Sequence, residues 1–144
     1  MRSVAHLQHK FVEHIPADVE QGRLYISIPF ATAVHKCCCG CGTEVVTPLS
    51  PTDWRLTFDG ESVSLNPAIG NWNFACQSHY WIERNAINWS LLTTQREIDA
   101  GKAQDRLAKR SYLEAKRAMH RAAKSEQRPE TKWRLTMRRL LRDK

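Results

Sequence analysis

Eight consecutive residues, HKCCCGCG from His35 to Gly42, contain four of the chain's five cysteines. The fifth, Cys76, lies far downstream in CQSH, with His79 three residues further on. A fold that uses these thiols together must bring two distant loops to one point. Cys37, Cys39 and Cys41 recur at every second residue, and Gly40 and Gly42 leave the backbone free to aim them inward. Zinc takes thiolates in a tetrahedron, so Cys76 closes a four-sulfur set that staples one loop to the other. Four thiolates leave no open position for water, so the expected zinc is structural. A second closure uses Cys39, Cys41, Cys76 and His79, because Cys-x-x-His is also workable ligand spacing. Cys38 points away from its neighbours on either reading. Free cysteines are often simply buried as small apolar residues, but chance rarely places four of five in one segment.

The remaining features say where such a protein works. At 144 residues the chain makes one domain with an appendage, and it can bury a core without disulfides. No stretch is long and apolar enough to cross a membrane, and the charged, histidine-containing start does not read as a signal peptide. A cytoplasmic location is therefore expected, where thiols stay reduced and clustered cysteines serve as metal ligands. The formal charge of +7 is unevenly spread: residues 96–144 hold 16 Lys+Arg and 7 Asp+Glu, leaving 6 and 8 for residues 1–95. A near-neutral body thus carries a basic tail. The tail could engage nucleic-acid phosphates, but a solvated helical face is the favoured reading of such a run.

Local patterns give an α+β chain: a small, mainly antiparallel β domain with a zinc-stapled loop pair, followed by basic C-terminal helices. GRLYISIPF alternates as a strand, with Leu24, Ile26 and Ile28 on one side, and TEVVTPL forms a short strand after the cysteines. WRLTFDGESVSL is a hairpin turning at Asp59-Gly60, and HYWIERNAINW is a second turning near Arg84-Asn85. Between them NPAIGNWNFACQS, rich in Asn, Pro and Gly, is expected to be a loop. After Ser90 the composition turns to Ala, Lys, Arg, Glu and Gln, strong helix formers. Thr94 and Glu97 have capping-box spacing, and Gly101 is expected to end a short first helix. Leu107, Tyr112, Leu113 and Met119 give a thin apolar stripe, and Pro129 sets off a last helical segment containing Trp133. The division falls at 11–92 for the β domain and 93–144 for the basic extension.

Three blocks, FVEHIPADVEQGRLYISIPFATAVHKCCCGCG, TPLSPTDWRLTFDGESVSLNPAIGNW and CQSHYWIERNAINW, together resemble a bacterial family classed as a domain of unknown function. That family is encoded in operons with ubiquitin-like modifiers and their activating and conjugating enzymes. The resemblance spans residues 11–92 and implies a zinc-stabilised peptidase that matures such a modifier or removes it from conjugates. Its partners would be the modifier, its conjugates and the enzymes of the pathway. The family commonly has serine where this chain has Ala68, in PAIGNW. A serine in a tight loop near a histidine has the logic of an activated nucleophile. Ala68 has no hydroxyl, so the chain as written should be inert. It is either a naturally inactive member or one whose serine was replaced to trap a substrate complex, and the intact surroundings favour the second.

His79 and His35 are the candidate bases, with His79 preferred because zinc at Cys76 would order its loop. If His79 is a ligand, His35 takes that place. Ser78 is a rival nucleophile, although adjacent residues on a strand face opposite ways. The backbone around Gly70, or the Asn71 amide, is the candidate oxyanion loop. Asp53, Asp59 and Glu44 are available to orient the histidine. His6, His9, His14 and His120 are read as solvated or structurally satisfied. A zinc module that binds a ubiquitin-like protein or a conjugation enzyme without cleaving is the principal alternative. A metallohydrolase is disfavoured, since no H-E-x-x-H motif is present.

Overall fold

The computed structural model describes residues 3–90 and 94–126. Its first sheet contains β1 (Gln8–Phe11), β2 (Arg23–Ser27), β3 (Thr32–Lys36) and β4 (Glu44–Pro48), in that order. Its second contains β5 (Arg55–Phe58), β6 (Val63–Gly70), β7 (His79–Glu83) and β8 (Ala86–Trp89), also in chain order. One helix, α1 (Gln95–Glu126), follows. All pairings are antiparallel except β1 with β2. An α+β chain with a mainly antiparallel β body is therefore what the sequence folds into. Contacts divide the chain into two units, with the break between Asp99 and Ala100.

Both sheets contribute to one core. Leu24, Ile26, Ala33 and Val45 come from the first, and Val63, Leu65, Ile69, Tyr80, Ile82 and Ile87 from the second. The segment before β1 ties the sheets together. Leu7 N–H donates to Asn85 O and Ile87 N–H to Ala5 O, so residues 5–7 extend the second sheet before the chain enters the first.

Two local expectations are refined. In β2, Leu24 and Ile26 face the core, but Tyr25 on the opposite face is also buried, against Val19 and Val34. The segment carrying Val12, Ile15 and Val19 covers that face, so β2 is buried on both sides. Ile28 lies beyond the strand and is exposed. The hairpins are present where the sequence places them. The β7–β8 turn uses Arg84 and Asn85 at φ 47° and 66°, the left-handed pair that a two-residue hairpin loop needs. The β5–β6 turn is longer, spanning Asp59 to Ser62. Asp59 accepts the N–H groups of Glu61 and Ser62 and the Ser62 hydroxyl, which holds its carboxyl down at about 2.

Two expectations fail. The segment from Asn66 to Gly70 is not loop: it continues β6, with the pairing register shifting between Leu65 and Ile69. A bulge absorbs Pro67, which has no N–H to give a ladder, and Ile69 returns to the core opposite Tyr80. The helix also does not stop at Gly101. One glycine costs a helix interior only about 1 kcal/mol, and strong helix formers surround it. The Thr94–Glu97 capping box is formed: Thr94 N–H donates to Glu97 Oε2 at 2.7 Å and Glu97 N–H to Thr94 Oγ1 at 3.4 Å. The segment beyond Pro129, with Trp133, lies outside the described residues.

Candidate metal centre and the face beside it

The cysteine loop leaves β3 directly. Cys37 N–H donates to Thr43 O and Gly40 N–H to Cys37 O, closing the loop on itself. Gly40 and Gly42 adopt φ 88° and 79°, a conformation that residues with a Cβ rarely take. The loop thereby gathers alternate sulfurs. Cys76 arrives from the loop between β6 and β7, and the sulfurs of Cys37, Cys39, Cys41 and Cys76 all lie within 4.8 Å of one another. Cys37 Sγ is 3.4 Å from Cys39 Sγ and 3.9 Å from Cys76 Sγ, and Cys41 Sγ is 3.9 Å from Cys76 Sγ. A tetrahedron with metal–sulfur bonds of about 2.3 Å has edges of about 3.8 Å. Four soft donors at this spacing fit one tetrahedral metal ion. Among the described residues the group holds these four cysteines and no histidine.

Polar contacts brace the set. Asn71 Nδ2 donates to Ser78 Oγ at 2.9 Å and lies 3.6 Å from Cys37 Sγ. Ser78 Oγ is 3.1 Å from Cys37 Sγ, and Cys41 N–H donates to Cys39 Sγ. Thr43 beside Cys41 brings that thiol down to about 6, whereas burial pushes Cys39 up. Cys38 turns the opposite way into the core, where burial raises its thiol to about 12.

The two candidate histidines occupy different environments. His35 is fully buried, with Nε2 2.8 Å from the Tyr80 hydroxyl, and burial lowers it to about 4. His79 sits on β7 directly opposite Gly70. Ile69 and Tyr80 form the adjacent pair and point into the core. Side chains alternate along a strand, so Gly70, His79 and Trp81 occupy the outward face, and Ala68 lies two residues before Gly70 where the β6 register shifts. Ala68 is half-buried there, one side-chain position along β6 from the residue facing His79. Burial lowers the His79 imidazole, which favours its neutral form.

Ser78 faces the sulfurs and Asn71, the side opposite to His79. The Asn71 amide is likewise directed to Ser78 and Cys37. Asp53 accepts from the Ser50 hydroxyl at 2.6 Å, Asp59 belongs to its own turn, and Glu44 is exposed at the start of β4. Two residues that the sequence reading passed over lie against His79: Trp72, with ring centroids 4.9 Å apart, and Trp81, at 5.2 Å. Trp81 was legible in His-x-Trp on a strand, where residues two apart share a face. Trp72 had only its neighbour Gly70 as a signal.

No curated protein and no solved structure matches the chain. A family model described as bacterial ubiquitination-like system serine protease (BubE) matches residues 11–90, a span that holds all four clustered sulfurs, position 68 and His79. By that match, which takes in more than half its length, the chain belongs to the bacterial ubiquitination-like system serine protease family.

Proposed function

We propose that this fold is a serine-type peptidase that matures a ubiquitin-like modifier or releases it from conjugates, and that Ala68 makes the present chain inert. The observation that supports this most is that position 68 lies on β6 two residues before Gly70, the residue paired with His79 on the neighbouring strand. With serine at 68, His79 would take the Oγ proton as oxygen attacks the carbonyl carbon of the scissile bond. The carbonyl becomes an oxyanion, and the imidazolium then protonates the leaving amine as the C–N bond breaks. Water, deprotonated by the same imidazole, releases the acyl group and restores the hydroxyl. A base must be neutral at working pH, and the lowered His79 suits that role. The backbone at Gly70 and Asn71 is the candidate oxyanion loop. The Asn71 side chain, already donating to Ser78, would act in holding that loop.

The metal we assign to Cys37, Cys39, Cys41 and Cys76 is zinc, in a structural role: four thiolates complete its shell and leave no open position. When bound it would fix the loop between β6 and β7, from which β7 and His79 emerge. The missing hydroxyl at 68 itself favours a second reading, a module that binds the modifier and does not cut it.

The test restores the hydroxyl. Ala68→Ser, mixed with the precursor of a ubiquitin-like modifier from the same operon, should release the modifier's C-terminal extension, read by intact mass. Adding His79→Ala should lower the rate by about 10²- to 10⁴-fold. Cleavage by the Ala68 chain at the same rate would sink the serine mechanism. Binding without cleavage in both proteins would favour the module.

A further inference from the structure

Gly70 is the residue directly opposite His79 in the β6–β7 ladder. A Cβ there would collide with Trp72 Nε1 and stand 2.8 Å from Trp72 Cε2 and 3.2 Å from Trp72 Cδ1. The indole two residues on therefore folds back over the strand and occupies the space where a side chain at 70 would be. From there it reaches His79, with ring centroids 4.9 Å apart and planes at 53°. His79 also meets Trp81, at 5.2 Å and 39°. The imidazole is thus the middle ring of three.

The backbone under Trp72 is fixed independently. Asn71 N–H donates to Ser78 O at 2.9 Å, one rung beyond the Gly70–His79 pair. The Asn71 amide bonds Ser78 Oγ beside the sulfurs, and Phe74 N–H donates to Asn71 O at 3.0 Å. Trp72 consequently projects from a braced segment of backbone.

We propose that Trp72, seated on Gly70, is a positioning residue that selects the rotamer of His79 facing position 68. This rests on the reading of His79 as the base. An imidazole on a strand has three staggered χ1 wells. Ring–ring contacts of this kind shift such an equilibrium by roughly several-fold each, so a well in which both contacts are made is favoured over one that makes either alone. Gly70 is required because any larger residue lifts the indole away. A reacting group displaced by about 1 Å loses about 10²-fold in rate, so the clamp bears directly on proton transfer.

Two measurements test it. The first needs no activity and uses the full Ala68 chain loaded with zinc. Ring currents from Trp72 should hold the His79 ring-proton resonances upfield. Trp72→Ala and Gly70→Ala should both move them downfield, and Trp72→Phe should leave most of the shift. Unmoved resonances in a Trp72→Ala protein of unchanged metal content and melting temperature would overturn the proposal. If Gly70→Ala does not fold, the two Trp72 variants decide. The second measurement uses the Ala68→Ser background. Trp72→Ala should lower kcat about 10- to 100-fold with KM within about twofold, and Trp72→Phe should recover most of the loss. A raised KM with unchanged kcat would make Trp72 a substrate contact and overturn the positioning role. An Ala68→Ser protein without activity would overturn the peptidase reading instead, and the resonances alone would then judge the clamp.

Discussion

At the scale of single residues, the assembly depends on which way neighbouring side chains turn. Cys37 and Cys39 join the sulfur group while Cys38 between them enters the core. Ser78 faces Cys37 while His79 beside it faces outward between two indoles. The two histidines, on different sheets, also differ: His35 bonds Tyr80 in the interior, and His79 lies opposite Gly70. Ser78 links Asn71 to two of the sulfurs, beside the direct Asn71–Cys37 contact. Its hydroxyl accepts from Asn71 and approaches Cys37 Sγ and Cys76 Sγ at 3.1 Å and 3.5 Å. Ser78→Ala removes a contact to two thiolates and leaves the Asn71 donor without that acceptor. Metal affinity, measured by competition with a chromogenic chelator, should fall about 10- to 100-fold, with one equivalent still bound at saturation.

At the scale of elements, turns set the register that places these faces. The β7–β8 turn needs two residues in the left-handed region, and Asn85 also accepts the Val63 N–H at 3.0 Å through Oδ1. One side chain thus fixes both the turn and the neighbouring strand. Asn85→Val puts a β-branched residue at positive φ and leaves Val63 N–H without its acceptor. A loss of about 2–4 kcal/mol is expected in urea unfolding, the sum of a backbone and a hydrogen-bond cost. The two hairpins were legible because their turn residues and alternation are local. The strand character of Asn66 to Gly70 was not. Asn, Pro and Gly argue for a loop, and only Ile69 meeting Tyr80 across the ladder keeps those residues in β6. The pairing of β1 with β2 in parallel was equally hidden, since no local signal marks a partner fifteen residues away.

At the scale of the molecule, the β unit and the helix differ in how they are stabilised. The β unit closes a core over both of its sheets. The 32-residue helix buries none of its residues, and Leu107, Leu113 and Met119 are 64%, 50% and 73% exposed. Its stability comes from propensity and the Thr94–Glu97 cap. No helix among the described residues is long and apolar enough to cross a membrane. Because no residue of the helix is buried, a zinc-loaded protein ending at Asp99 should bind one equivalent of the ion, as the full chain should, by mass spectrometry under native conditions. Its melting temperature should stay within about 4 °C of the full chain's, a shift corresponding to less than about 1 kcal/mol. A larger loss would mean that the segment after residue 99 supports the β unit.

The sequence by itself determined what is local: a sulfur cluster with one distant partner, two hairpins with their turn residues, a capped helix and an uneven charge. It also carried the ordered motifs that identify the family. Tertiary structure decided which of two histidines is fully buried and which lies opposite Gly70, that Cys76 and not His79 completes the sulfur group, that Tyr25 is covered on the outer face of β2, and that Trp72 lies across Gly70. The division has one physical cause. Turn chemistry and periodicity act within a few residues and are written in adjacent letters. Which face of a strand is buried, and by what, is settled only when segments far apart in the chain pack together.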